Sequence, residues 1–132
     1  MMKAIYEGLK EGLRELMKEK PEVFLLTNDL GSATSVLELE KEFPERYLNM
    51  GVSDQDMIGC AAGLALSGKV PFITSFSLFI CGRSFDQIRN LICKNSLNVN
   101  FVGTHPGVSV GRLGGGFQIM EDLAIMLSLI HI

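Results

Sequence analysis

Apolar residues open the chain at helical spacing: Ile5, Leu9, Leu13, Leu16 and Met17 recur every three to four positions, while Lys3, Glu7, Lys10, Glu11, Arg14 and Lys18 fill the other faces. An amphipathic surface helix is expected there, and Pro21 cannot continue it. Val23-Phe24-Leu25-Leu26-Thr27 is a short, continuously apolar run, as expected of a parallel strand covered on both faces. A helix through Ser35–Phe43 ends before Pro44, and Arg46-Tyr47-Leu48-Asn49-Met50 reads as a second strand closed by Gly51. Ser53 is the expected N-cap of a third helix, with Asp56 three residues on as in a capping box. That helix runs through GCAAGLALSG, whose small residues imply close packing. Val70–Phe76 reads as the third strand, Phe79–Lys94 mostly as helix, Leu97–Val102 as the fourth strand and Glu121–Ile130 as a last helix.

Strands that alternate with helices argue for right-handed crossovers and a parallel α/β sheet, with ligands beyond the carboxyl ends of the strands. Those ends are DLGS, GVSDQ, SFSLF and THPG. A length of 132 residues with 47% hydrophobic residues suits a single core. The formal charge of −3 lacks the basic excess of a nucleic-acid binder. Charge throughout the first twenty residues matches neither a signal nor a transit peptide. Met57–Gly82 carries a single charge, Lys69, but Gly68, Lys69 and Pro71 divide it into runs too short for the roughly 20 residues of a membrane helix. Cys60, Cys81 and Cys93 match no zinc spacing and form no even disulfide set, which suits a reducing cytoplasm.

Four constellations are candidates for chemistry. The glycine-rich stretch Gly107–Gly116, with Arg112 inside it, offers amides to an anion or is a mobile connection. Asp54 and Asp56 stand at a helix start, where capping is the ordinary role of carboxylates. Phe76 and Phe79 leave the third strand at its carboxyl end, as core residues or as the wall of a site for a flat ligand. His105 follows the fourth strand and is polar at the expected cleft. The two histidines, His105 and His131, cannot build a His-rich metal site, and no Ser-His-Asp or Cys-His order stands out.

The segments GVSDQDMIGCAAGLALSGKVPFITSFSLFICGRSFDQIRN, LNVNFVGTHPGVSVG and QIMEDLAIM, in that order, resemble the pyrimidine-binding domain of the transketolase family. The resemblance is greatest to the separately encoded carboxyl-terminal section of split transketolases and runs from the AIYEGLKEGLRELMKEKPEVFLLTNDL opening to about Met126. It implies a three-layer domain with a mostly parallel sheet flanked by helices. It also implies transfer of two-carbon ketol units between sugar phosphates, with thiamine diphosphate and Mg bound between this section and a partner section that binds pyrophosphate. A dimer or heterotetramer is expected, with no role for nucleic acid or membrane.

By the same resemblance, Asp54 takes the place of the glutamate that hydrogen-bonds a ring nitrogen of the aminopyrimidine, one methylene shorter. Phe79 matches the aromatic that stacks on the pyrimidine, Phe76 lines the same pocket, and Asp29 and Leu30 match the pair beneath the thiazolium. His105 matches the histidine that faces the sugar phosphate. Leu113 and Phe117 stand where the family has an acid and a histidine that touch substrate hydroxyls, which disfavours an ordinary sugar and favours a more apolar acceptor. Residues 1–132 are expected to be a truncated pyrimidine-binding domain, with residues 127–132 as a non-native tail. The alternative is a non-catalytic interaction module that keeps the dimer-forming fold and has lost its chemistry.

Overall fold

A computed structural model describes residues 5–132, apart from the Ile5 side chain, so residues 1–4 of the expected first helix lie outside the described residues. Helix α1 spans Ile5–Glu19, strand β1 Val23–Thr27, α2 Glu38–Glu42, β2 Tyr47–Asn49, α3 Asp54–Leu66 and β3 Val70–Phe76. Two π-helical turns, Leu78–Arg83 and Ile88–Cys93, enclose the short helix α4 at Phe85–Gln87. Strand β4 covers Asn100–Thr104 and α5 covers Asp122–Leu127.

The strands lie in the order β2-β1-β3-β4, and every pairing is parallel. Alternation along β1 explains why its sequence is apolar without a break. Leu25 points into a layer with Leu13, Met17, Val36, Leu39 and Tyr47, under α1 and α2. Leu26 points the other way, into a layer with Met57, Ile58, Ile73, Ile80 and Ile88. Helices therefore cover both faces of the sheet, as the three-layer expectation holds.

Several boundaries differ from the sequence reading. Strand β4 begins three residues later, because Leu97 and Val99 still belong to the turn after Cys93: the Leu97 amide donates to Ile92 O at 3.1 Å and the Val99 amide to Leu97 O at 3.1 Å. Helix α2 starts at Glu38 because the Val36 and Leu37 amides both donate to Gly31 O, at 2.8 and 3.0 Å, in a tight loop where Ser35 has φ +62°. The expected helix over Phe79–Lys94 is underwound into wide π-helical turns on either side of α4. Ser53 does not cap α3; its hydroxyl donates backwards to Met50 O at 2.6 Å.

Close packing at β4 depends on Gly103, where a Cβ would stand 2.7 Å from Ser77 Oγ. Contact at this point seats the first π-helical turn directly against the strand. Among the described residues no helix is long and apolar enough to cross a membrane.

Candidate functional site

The parallel register brings the carboxyl ends of β1, β3 and β4 side by side, since Thr27 pairs with Thr74 and Phe76 pairs with Thr104. The next residues of the chain, Asn28 after β1, Ser77 to Phe79 after β3 and His105 after β4, consequently share one rim. This is the edge at which an open parallel sheet places its ligands.

Asp54 is the first residue of α3 and is only 3% exposed. Its carboxylate is held from two sides: Asn28 Nδ2 donates to Oδ1, and Arg83 Nη1 donates to Oδ2 at 2.7 Å. A buried carboxylate needs such donors, because an unpaired one would cost several kcal/mol to keep from water. Asp54 is thus not an exposed cap, whereas Asp56 is exposed on the same helix turn. Asn28 is itself buried, and its Oδ1 has no hydrogen-bond partner. An unpartnered acceptor beside a carboxylate is a polar edge ready for a ligand with donors of its own.

Beside this polar edge lies an aromatic wall. The Phe76 and Phe79 rings stack within 12° of parallel at a centroid separation of 5.7 Å, and Leu30 and Val110 pack on them. Phe117 meets Phe79 edge-on at 5.9 Å. The Arg83 guanidinium lies over the Phe79 ring, 4.3 Å from its centroid, so it bridges the wall and the carboxylate.

His105 closes the far end. Its ring sits 4.4 Å from that of Phe76, and its backbone is held at φ +54°, an uncommon conformation for a residue with a Cβ. Thr104 Oγ1 lies 3.1 Å from Ser75 O and 3.0 Å from His105 Nδ1, so it ties the His105 ring to β3. A cavity of about 500 Å³ opens beside His105, lined also by Tyr6, Leu9, Val102, Thr104 and Pro106.

Asp29 also has positive φ, +66°. Asn49 at the end of β2 fixes it, accepting from the Asp29 amide at 2.9 Å and from the Gly51 amide at 3.0 Å. The glycine-rich stretch turns its amides inward: Gly107 N donates to Ile119 O at 2.8 Å, Gly111 N to Val108 O at 3.1 Å and Gly114 N to Gly111 O at 3.1 Å. It is a folded connection and not an open cradle, with Val110 as its buried anchor. Arg112 and Leu113 are exposed. Among the described residues no three His, Cys, Asp or Glu side chains group to hold a metal.

The structure thus assembles five residues singled out from the sequence, Leu30, Asp54, Phe76, Phe79 and His105, and sets Asp29 at the adjoining strand end. It adds Asn28, Asn49 and Arg83, which sequence reasoning missed. The only signal for Asn28 was its place at the end of an apolar run; Arg83 carried none beyond its place in the GRSFDQIRN segment.

Comparison with known proteins places this rim in context. Residues 2–130 match the family described as "Transketolase, pyrimidine binding domain". The putative transketolase C-terminal section of Methanocaldococcus jannaschii is 45% identical over 129 residues, which is 95% of this chain and 41% of that protein. The 6-deoxy-6-sulfo-D-fructose transketolase subunit of a Clostridium species is 39% identical over 114 residues, 86% of this chain and 35% of the relative. Among solved structures, a split-gene transketolase described as an inactive β4 tetramer superposes with a TM-score of 0.77 at 42% identity, over 91% of this chain and 38% of that one. The transketolase of Campylobacter jejuni shares the fold, with a TM-score of 0.85 at 23% identity over 94% of this chain and 20% of that one. The chain spans about two fifths or less of the length of these relatives. With its parallel sheet and nearly all of its length matched, the chain belongs to the transketolase pyrimidine-binding domain family.

Proposed function

We propose that the chain is the pyrimidine-binding part of a thiamine diphosphate-dependent transketolase-like enzyme, which moves two-carbon ketol units between sugar phosphates together with a partner section that holds the pyrophosphate and Mg. The observation that carries this reading is the buried Asp54 carboxylate set beside the Phe76–Phe79 stack. The relatives that are sections or subunits of transketolases support it, and the cytoplasm is the expected compartment.

The residues fit an aminopyrimidine. A flat ring with apolar faces and an amino group on its polar edge needs an aromatic wall and nearby acceptors, and Phe79, Asp54 and the unpartnered Asn28 Oδ1 supply these. When bound, thiamine diphosphate supplies an electron sink for breaking a carbon–carbon bond beside a carbonyl. Asp54 then holds a proton at the ring edge, a role that needs its carboxyl at hydrogen-bonding distance. Phe76 and Phe79 exclude water and fix the plane, and Asp29 and Leu30 extend the floor. His105, anchored through Nδ1 to Thr104, faces the phosphorylated substrate as a hydrogen-bonding group.

Two positions that the resemblance places against the substrate are apolar. Leu113 is 51% exposed and Phe117 37% exposed, and neither offers a hydroxyl a partner. A sugar hydroxyl buried there unpaired would cost about 1–3 kcal/mol, so acceptors with fewer hydroxyls are favoured. The test is a ketol-transfer assay of the two-section complex, with a ketose phosphate donor and a series of aldehyde acceptors. Cofactor-dependent transfer supports the reading; complete absence of transfer favours the interaction module, for which the apolar Leu113 and Phe117 are the motivating observation.

A further inference from the structure

The geometry points to Arg83 as a built-in occupant of the pyrimidine subsite, a side chain that a bound aminopyrimidine must displace. This inference rests on the reading of Asp54 and Phe79 just given. That reading requires a planar group that stacks on Phe79 and hydrogen-bonds to Asp54. The Arg83 guanidinium already occupies both places: it lies over the Phe79 ring, 4.3 Å from its centroid, and its Nη1 donates to Asp54 Oδ2 at 2.7 Å. Two flat groups cannot share one face of a ring. The other surroundings of Phe79 are taken as well, by Phe76 in parallel and Phe117 edge-on.

Arg83 is the movable member of this set. Its side chain is 49% exposed, against 2% for that of Asp54. Its backbone is fastened separately, since Gln55 Nε2 donates to Arg83 O at 3.1 Å. The long side chain can therefore swing into water, where the guanidinium regains hydration, while the turn beneath it stays in place. When Arg83 leaves, Asp54 keeps the Asn28 hydrogen bond and gains one to the ligand's ring edge, so the buried carboxylate is not left unpaired and a ligand that is also anchored elsewhere can displace the cation. Until that ligand arrives, Arg83 neutralises a buried carboxylate and covers an aromatic face.

The experiment is calorimetric titration of the two-section complex with thiamine diphosphate and Mg²⁺. Arg83→Met, which has no charge to release and leaves Asp54 seeking a donor, is expected to bind the cofactor about three- to tenfold more tightly than the parent. Arg83→Lys, charged but not planar, should fall between the two. In the parent complex with ¹⁵N-labelled arginine, the Arg83 Nε–H resonance, shifted by the Phe79 ring, should move to its solvent position as the cofactor saturates. This second readout holds even where Arg83→Met folds poorly. Equal or weaker binding by Arg83→Met, or an unmoved resonance at saturation, overturns the inference. If Phe79→Ala still weakens binding in that case, the pyrimidine-site reading survives without it. Absence of saturable binding by the parent overturns both.

Discussion

At the scale of single residues, Asp54 is where the proposed reading concentrates the chemistry. With both oxygens engaged and the residue 3% exposed, its position is set by Asn28 and Arg83 as much as by α3. Asp54→Asn removes the carboxyl and is expected to lower kcat in the two-section complex by about a hundredfold or more, with KM little changed. Asp54→Glu adds a methylene to a filled buried site, so its turnover should stay at or below that of the parent; a rise would mean that Asp54 is merely too short. Tyr47 gives a prediction independent of catalysis. Its hydroxyl is buried without a partner against Gly31, where a Cβ would collide with it. Burial, with Glu40 and Asp29 nearby, pushes its pKa up to about 12. Folding favours the protonated phenol, so this stability is complete below the ordinary value near 10 and is lost as pH rises towards 12. Tyr47→Phe should leave the melting temperature at pH 7 within a few degrees of the parent and flatten its fall above about pH 10, which thermal melts across pH would record.

At the scale of elements, legibility in the sequence followed burial. Strands β1 and β3 are legible to the residue, because both are largely buried: β1 as an apolar run and β3 as a mostly apolar stretch that keeps only Thr74 and Ser75 as polar positions. Strand β4 slipped, because it lies at the sheet edge, where its residues are half-buried or exposed and polar positions interrupt the pattern. The apolar residues just before it, Leu97 and Val99, serve the core from a turn. Capping was misjudged at Ser53 because residue type alone does not say which way a hydroxyl turns. Phe76, Phe79 and His105 are legible as candidates because strand ends announce a cleft, and the structure places their rings together; Arg83 is not, because one cation in a helical segment reads as solvated surface. Two substitutions test the elements. Gly103→Ala should lower stability by about 1–3 kcal/mol in chemical denaturation through collision with Ser77 Oγ, and Ser77→Ala in the same chain should recover part of the loss. Ile73→Ala, at a fully buried position between the layers, should cost about 2–5 kcal/mol.

At the scale of the whole molecule, the sheet presents its candidate rim at one end. Apolar residues remain exposed on the outside, among them Val52 at 79%, Leu123 at 76% and Ile130 at 66%. Such surface fits a part that works in an assembly. The rim carries an aromatic wall, a buried carboxylate and a histidine, yet the described residues contain no metal-binding cluster. On the proposed reading, pyrophosphate and Mg belong to the partner, and neither section turns over substrate alone. The central claim is that Asp54 and Phe79 form a pyrimidine site completed by that partner. Its most direct test is titration of the assembled two-section complex with thiamine diphosphate and Mg²⁺, comparing the parent with Phe79→Ala. The account predicts saturable binding by the parent, weakened about tenfold or more when the stacking ring is removed. Failure of the parent to bind, or equal binding by Phe79→Ala, would contradict it.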